Sequence, residues 1–308
     1  GDCLNMGCVP SKALLRTARS VAEIRRAGAF GVELDAEPVV DFGAVMERMR
    51  QIRAEISDHD SAERFAGLDV DVFMGHARFT GRHSVEVDGE ELTFSRAIVA
   101  TGASPMVPPI DGVDEVDYLT NETLFSLTEL PERFAVVGGA PIGAEMAQAV
   151  ARFGSEVTVF EMADQLLPRE HSDAAELVAR AFDRDGVDVQ TGARVTGLRQ
   201  EGDTKRIEFE VGEEKMSRDV DEVLLALGRR PNVAGLDLER AGVSYDEREG
   251  VEVDDRLQTT NPHVFAAGDV ASPHQFTHVA DAQARIAIQN ALFFGRAKAS
   301  ELTIPWVT

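Results

Sequence analysis

The chain has 308 residues, 44% apolar and 28% charged, enough to bury a substantial core and long enough to suggest two domains. Its net charge of −23 disfavours nucleic acid as a partner, because phosphates would be repelled. The sequence shows no charged-then-apolar leader and no apolar run near the roughly 20 residues that span a bilayer, so the cytoplasm is the expected compartment and no membrane partner is expected.

Lysine is confined to Lys12, Lys205, Lys215 and Lys298, so nearly all positive charge is arginine. That acidic, lysine-poor balance fits a surface adapted to high salt and equally an ordinary acidic solvated surface. Both cysteines fall in the opening GDCLNMGCVPSK, residues 1–12. In a cytosolic chain such thiols are more often redox-active, metal-binding or buried than structural disulfides. No His or further Cys clusters near Cys3 and Cys8, which argues against zinc. Residues five apart on an undistorted helix lie roughly 8.6 Å apart, beyond the ~7 Å reach of disulfide Cα atoms, so a bridge needs a distorted turn. Asn5 and Gly7 make that turn accessible, and Pro10 suits an early helical turn leading into Ala13, Leu14 and Leu15. A bridge strained in this way would be easily reduced, as a catalytic one must be. Two unrelated buried thiols are the alternative.

A second helix is expected from Asp41 to about Phe65, with Phe42, Val45, Met49, Ile52 and Ile56 at helical spacing. The runs DVDVFMG, ARFTG, SVEVDG and ELTFSRAIVATG then read as strands of a short antiparallel element. SPMVPPIDG, residues 104–112, is a break, since Pro105, Pro108 and Pro109 exclude helix and central strand alike.

From Arg133 the pattern becomes strand FAVVGG, turn GGAPIG, helix AEMAQAVARFG and strand EVTVFE. In that order a dinucleotide fingerprint is credible: amides at a helix start meet a pyrophosphate, and an acid about 20 residues on holds a ribose hydroxyl. Glu161 stands at that position, and a carboxylate there would repel a 2′-phosphate, favouring NAD over NADP. Gly138 and Gly143 fit the outer glycines, but Ala140 replaces the middle one, where its methyl would crowd the pyrophosphate and Gly139 relieve part of the crowding. A plain packing unit with a solvated strand-end acid is the alternative. The seven histidines have no partners at ligand or triad spacing and read as structural or solvated.

CLNMGCVPSK, the ATGA at 100–103, GGAPIGAE, ALGRRPN at 226–232 and TTNPHVFAAGDV at 259–270 occur in the order seen in class I pyridine nucleotide-disulfide oxidoreductases. The chain resembles that family, which includes dihydrolipoamide dehydrogenase, glutathione reductase and mercuric reductase, over essentially its whole length. LPREH and LTNETLF lie nearest the mercuric reductase-like and dihydrolipoamide dehydrogenase-like branches.

The resemblance implies an α/β fold of two Rossmann-like nucleotide-binding domains. An NAD domain at 131–255 would be inserted in an incomplete FAD domain of residues 1–130 and 256–300, and 301–308 would open a dimerisation domain. It implies Cys3 as the thiol that exchanges with substrate, Cys8 as the thiol against the flavin, Lys12 beside the flavin's reducible edge and Glu145 as the ion-pair partner of Lys12. The cation would favour reduced flavin and the Cys8 thiolate. Ala77, Thr101, Gly102, Gly268 and Asp269 fall on flavin positions. Gly138, Gly139, Ile142, Gly143, Glu161, Val195 and Gly228 fall on nicotinamide-nucleotide positions.

Relatives also carry an N-terminal strand and glycine turn for the ADP half of FAD, and a C-terminal domain with a His-Glu pair. The sequence is therefore expected to be the interior of a longer enzyme, homodimeric when that domain is present, and to hold flavin poorly by itself. Pro141 replaces an aromatic gate of many relatives. The expected function is passage of electrons between a nicotinamide cofactor, FAD and a Cys3–Cys8 disulfide, with a small disulfide or dithiol as substrate. Reduction of Hg(II) and a non-catalytic nucleotide-binding remnant are the alternatives.

Overall fold

The prolines of residues 104–112 mark a boundary. In the computed structural model, which describes residues 1–308, the chain passes at that point from one compact unit to another. The first unit is Gly1–Arg64 with Pro105–Gly228, and the second is Phe65–Ser104 with Arg229–Thr308. These packing units cut the chain differently from the cofactor-domain division at 130 and 255. Residues 1–64 group with 105–228 because the helix Cys8–Arg25 lies on the helix Pro141–Phe153.

At the centre of the first unit is a four-stranded parallel sheet in the order Glu222–Leu225, Arg133–Val137, Glu156–Glu161, Asp188–Thr191. Its strands alternate between two apolar surfaces, as the pleat dictates. Phe134 and Val136 face a helical layer, while Ala135 and Val137 face an antiparallel sheet of Ala193–Glu201, Thr204–Val211 and Glu214–Val220. In the helical layer, Ala13 and Ala18 of one helix share a buried cluster with Ala144, Ala147 and Ala151 of the other, small side chains that suit close packing of two helices. Phe42, Val45, Met46 and Met49 close the same cluster. Burying Met46, Met49 or Phe153 there contributes roughly 1.5–3 kcal/mol each.

The helix expected from Asp41 to Phe65 is shorter. Asp41 caps it by accepting a hydrogen bond from Ala44 N at 3.0 Å, and the helix runs Phe42–Ser57 before a 3₁₀ turn, Asp58–Asp60, and a short helix, Ala62–Ala66. Hydroxyls interrupt it: Ser57 Oγ donates to Ala54 O, Ser61 Oγ donates to Asp58 O, and Arg64 N donates to Ser61 Oγ. Ile56, expected on the apolar face, is exposed.

Arg133 opens the central strand with its guanidinium on Asp221, Nη2 donating to Oδ1 at 2.5 Å while the Arg133 backbone N–H donates to Oδ2 at 2.7 Å. The guanidinium holds the Asp221 carboxyl below the usual carboxylate range. A depressed folded-state value gives stability that is present above the unfolded range, about pH 3.9, and is lost as pH falls through the folded one. Asp221→Asn should therefore lower the melting temperature at pH 7 and flatten the acid branch of a melting-temperature profile below about pH 4. An acid branch identical to wild type would show that this pair carries none of it.

In the second unit the antiparallel element forms from Ala77–Gly81, Ser84–Val87 and Glu90–Thr93. Two of the expected strands depart from it. DVDVFMG forms no strand, and Val70, Val72, Phe73 and Met74 are exposed. Ala97–Val99 pairs in parallel with Val264–Ala266 instead. Nearby, the fully buried Asn261 satisfies its carboxamide completely. Its Nδ2 donates to the carbonyls of Arg82 (3.0 Å) and Ala241 (2.8 Å), and its Oδ1 accepts from His263 N at 3.0 Å. No helix is long and apolar enough to cross a membrane.

Candidate redox and nucleotide site

Both thiols belong to the first unit. Cys3 is half-buried in the short helix Asp2–Asn5, and the exposed Cys8 begins the helix Cys8–Arg25. Between them the helix breaks, as a bridge at that spacing would need. Met6 N still bonds back to Asp2 O at 2.8 Å, but Gly7 adopts φ −134°, ψ −117° and caps the next helix. A Cβ on Gly7 would lie 3.0 Å from Asp2 O and 3.4 Å from the Cys3 Cα, so only glycine lets the turn close against the first cysteine without a shift. Cys8 faces the partial positive charge at the start of an 18-residue helix.

One turn further, on the same face as Cys8, Lys12 Nζ donates to both oxygens of Glu145, at 2.8 and 3.0 Å. Glu145 comes from the helix Pro141–Phe153, so the pair ties the thiol helix to the helix that follows the glycine turn. That turn is tightly specified. Gly138 has φ +105°, and a Cβ there would lie 2.4 Å from Ala226 O; a Cβ on Gly143 would lie 1.9 Å from Gly138 O. At Gly139 it would meet Leu166 at 2.7 Å. Ala140 needs no glycine, because its φ −72°, ψ 177° are ordinary extended values and its methyl strains nothing in the turn. Pro141 takes the first helical position, where a missing N–H is harmless, and exposed Ile142 follows.

Glu161 is not a solvated strand-end acid. It is 8% exposed, and its carboxylate accepts from Gly139 N at 2.7 Å and from Ala163 N at 2.8 Å, clamping the glycine turn to its own strand end. Val195 lies in the antiparallel sheet opposite Phe209, whose ring is 4.7 Å from that of Phe160. Gly228, at φ +103°, accepts from Met106 N through its carbonyl at 2.9 Å. A turn in which a Cβ would clash at three positions, a helix start and an acid at the second strand end fit a dinucleotide.

The second unit holds the other expected residues. Thr101 and Gly102 are laced to Asn232: Thr101 Oγ1 donates to Asn232 O at 2.7 Å, Asn232 Nδ2 to Thr101 O at 3.0 Å, and Asn232 N to Gly102 O at 2.9 Å. Gly268, at φ +79°, donates its N–H to Gln283 Oε1 at 2.8 Å. Beside it Asp269 Oδ2 lies 3.7 Å from Arg229 Nε, the side chains being 19% and 15% exposed, and Arg229 also donates to the Ala103 carbonyl. A half-buried acid held by an arginine beside a positive-φ glycine suits the hydroxyls of a flavin's polyol chain. Ala77 is exposed at the head of its strand opposite Val87.

Asn232 and Arg229 were not singled out from the sequence, although both lie in ALGRRPN. His83 and His263, distant in sequence, have ring centroids 4.4 Å apart, and His263 Nδ1 lies 2.8 Å from Arg96 Nη1.

Comparison with known proteins decides the family. The model for "Pyridine nucleotide-disulphide oxidoreductase" matches residues 1–284. The chain belongs to that family. It is 33% identical over 309 residues to mercuric reductase of Bacillus cereus, covering 100% of this chain and 49% of that protein. It is 35% identical over 295 residues to dihydrolipoyl dehydrogenase of Thermus scotoductus, covering 94% and 63%. Among solved structures, the HOCl-induced flavoprotein disulfide reductase RclA from Escherichia coli matches with a TM-score of 0.85 at 31% identity, over 97% of this chain and 64% of that one. A Cu(II) complex of RclA matches over the same shares with a TM-score of 0.84 at 30% identity. The chain spans about half the length of the mercuric reductases it matches. The Rossmann-type α/β fold implied by the motifs is shared with these structures, and use of FAD and NAD(P)H is characteristic of the family.

Proposed function

We propose that the chain serves an FAD-dependent NAD(P)H:disulfide oxidoreductase in which Cys3 and Cys8 form the redox-active pair. One observation carries this reading: the Lys12–Glu145 pair joins the helix that begins at Cys8 to the helix that follows the glycine turn, so the thiols and the nucleotide cradle share one framework. Residues 131–255 would serve the nicotinamide cofactor, with NAD favoured over NADP, and residues 1–130 with 256–300 would serve FAD. A cytoplasmic homodimer belongs to the same proposal.

When bound, FAD supplies the two-electron relay between nicotinamide and thiols. The chain's own residues do the rest. Thr101, Gly102, Gly268 and Asp269 hold the flavin, and Gly138, Gly139, Ile142, Gly143, Glu161, Val195 and Gly228 hold the nicotinamide nucleotide. Lys12 sets a positive charge beside Cys8, with Glu145 fixing its direction. Once two electrons have broken the Cys3–Cys8 bond, the Cys3 sulfur attacks an external disulfide and displaces one thiolate. The Cys8 sulfur then attacks the mixed disulfide at Cys3, restoring the internal bond and displacing the second thiolate.

A second reading draws on exposed Cys8 and the relatives' names: a thiophilic metal ion, Hg(II) or Cu(II), as electron acceptor held by the two sulfurs. With FAD supplied anaerobically, NADH should expose two further alkylatable thiols per chain, and Cys8→Ser should abolish that gain. Oxidation of the reduced pair by lipoamide, faster than by Hg(II) or Cu(II), supports the disulfide reading, and the reverse order supports the metal reading. A gain with dithiothreitol but not with NADH would place the failure at flavin binding, and no gain with either reductant would reject the redox pair and leave a nucleotide-binding protein.

A further inference from the structure

The stretch that breaks the helix between the two thiols, Met6 and Gly7, is held from a distant part of the same unit. Asn121 is 7% exposed, and its Nδ2–H donates to the Met6 carbonyl at 3.2 Å. Its own base is firm. Thr120 N donates to Thr123 Oγ1 at 3.0 Å, Glu122 N to Thr120 Oγ1 at 3.2 Å, and Leu124 N to Thr120 O at 2.9 Å. Leu124 and Phe125 are buried in the cluster that includes Ala13, Leu14 and Ala18 of the thiol helix. A further long-range contact, from Arg53 Nη1 to the neighbouring Asn5 O, is longer at 3.4 Å and exposed.

We infer that Asn121 is a positioning residue for the redox pair, pinning the Met6 carbonyl and thereby the turn that sets the separation of the Cys3 and Cys8 sulfurs. The inference rests on the reading of these cysteines as a redox pair. Closing the disulfide removes two protons and two electrons from the thiols. In a glutathione buffer the electrons reduce one glutathione disulfide to two glutathione thiols. How readily the ring closes depends on how much freedom the dithiol still has to lose. The pin restricts the dithiol more than the disulfide, which is already constrained, so removing it disfavours closure.

The test equilibrates the full chain in anaerobic glutathione buffers and reads the disulfide fraction by alkylation and intact mass. Asn121→Ala should lower the closure constant several-fold, with about tenfold, the worth of one buried hydrogen bond, as the ceiling, because the bond is lost from both redox states. Asn121→Asp, nearly isosteric and so the decisive variant if alanine fails to fold, should lower it at least as much, because a carboxylate offers no donor and faces the Met6 carbonyl. Asn121→Gln, which keeps an amide donor, should recover part of the loss. Closure constants within twofold of wild type in the Ala and Asp variants would overturn the inference while leaving the redox reading intact. A loss equal in Gln and Ala would assign the effect to packing and also overturn it. A wild-type chain whose cysteines close in no buffer would overturn the redox reading itself.

Discussion

Gly143→Ala should destabilise the first unit by about 3 kcal/mol or more, lowering its melting temperature by roughly 6–12 °C, and should abolish NADH binding. The added Cβ would lie 1.9 Å from Gly138 O, 3.1 Å from Gly138 C and 3.2 Å from Val136 Cγ1. The two nearest atoms are backbone, so no rotamer relieves the clash. The helix Pro141–Phe153 must move off the strand Arg133–Val137. That helix also carries Ala144, Ala147 and Ala151 of the core and the Glu145 that holds Lys12, so its displacement reaches the thiol helix as well. Ala140→Gly, three residues earlier at ordinary dihedrals, is the control and should shift stability by less than about 1 kcal/mol. Thermal melts and NADH titration of the two variants measure both effects. A Gly143→Ala chain that melts with wild type would mean that helix and strand are not in the contact described.

Glu161→Arg should lose stability and both nicotinamide cofactors rather than trade NADH for NADPH. A carboxylate at this position would repel a 2′-phosphate, and from that argument alone arginine would reverse the preference. The hydrogen bonds correct it. The carboxylate is the acceptor for Gly139 N and Ala163 N, and leaving both amides without one costs roughly 1–3 kcal/mol each, before a guanidinium is forced into a site only 8% exposed. Glu161→Gln keeps an oxygen for one amide and should be milder. The neighbouring Met162 is 72% exposed, and Met162→Arg should narrow the NADH preference with little change in melting temperature. Binding titrations with NADH and NADPH, paired with melts, separate these outcomes. A stable Glu161→Arg chain that prefers NADPH would show that the clamp is dispensable.

The strand, turn, helix and strand from Arg133 to Glu161 were legible in the sequence because apolar period, proline and glycine all act locally there. The break at residues 104–112 was legible for the same reason. The strands of the second unit were only half legible. The alternation in DVDVFMG and the apolar run AIV record a preference for extended structure but not which neighbour supplies the hydrogen bonds, and AIV found its partner at residues 264–266. The grouping of residues 1–64 with 105–228 depends on the packing of the helix Cys8–Arg25 on the helix Pro141–Phe153, a fit that spacing within either helix cannot reveal. In the site, glycine positions and the acid were read from the motif, whereas the clamp made by Glu161 was not. Asn121, Arg229 and Asn232 escaped notice for one physical reason: each donates to a backbone carbonyl far along the chain, and carbonyls carry no sequence signature.

The most direct measurement is the mass of the alkylated chain, prepared in air under denaturing conditions, before and after reduction. A Cys3–Cys8 disulfide predicts no alkyl groups before reduction and two afterwards, with both on the peptide that contains residues 1–12. Two alkyl groups without any reductant, on protein prepared in air, would contradict it.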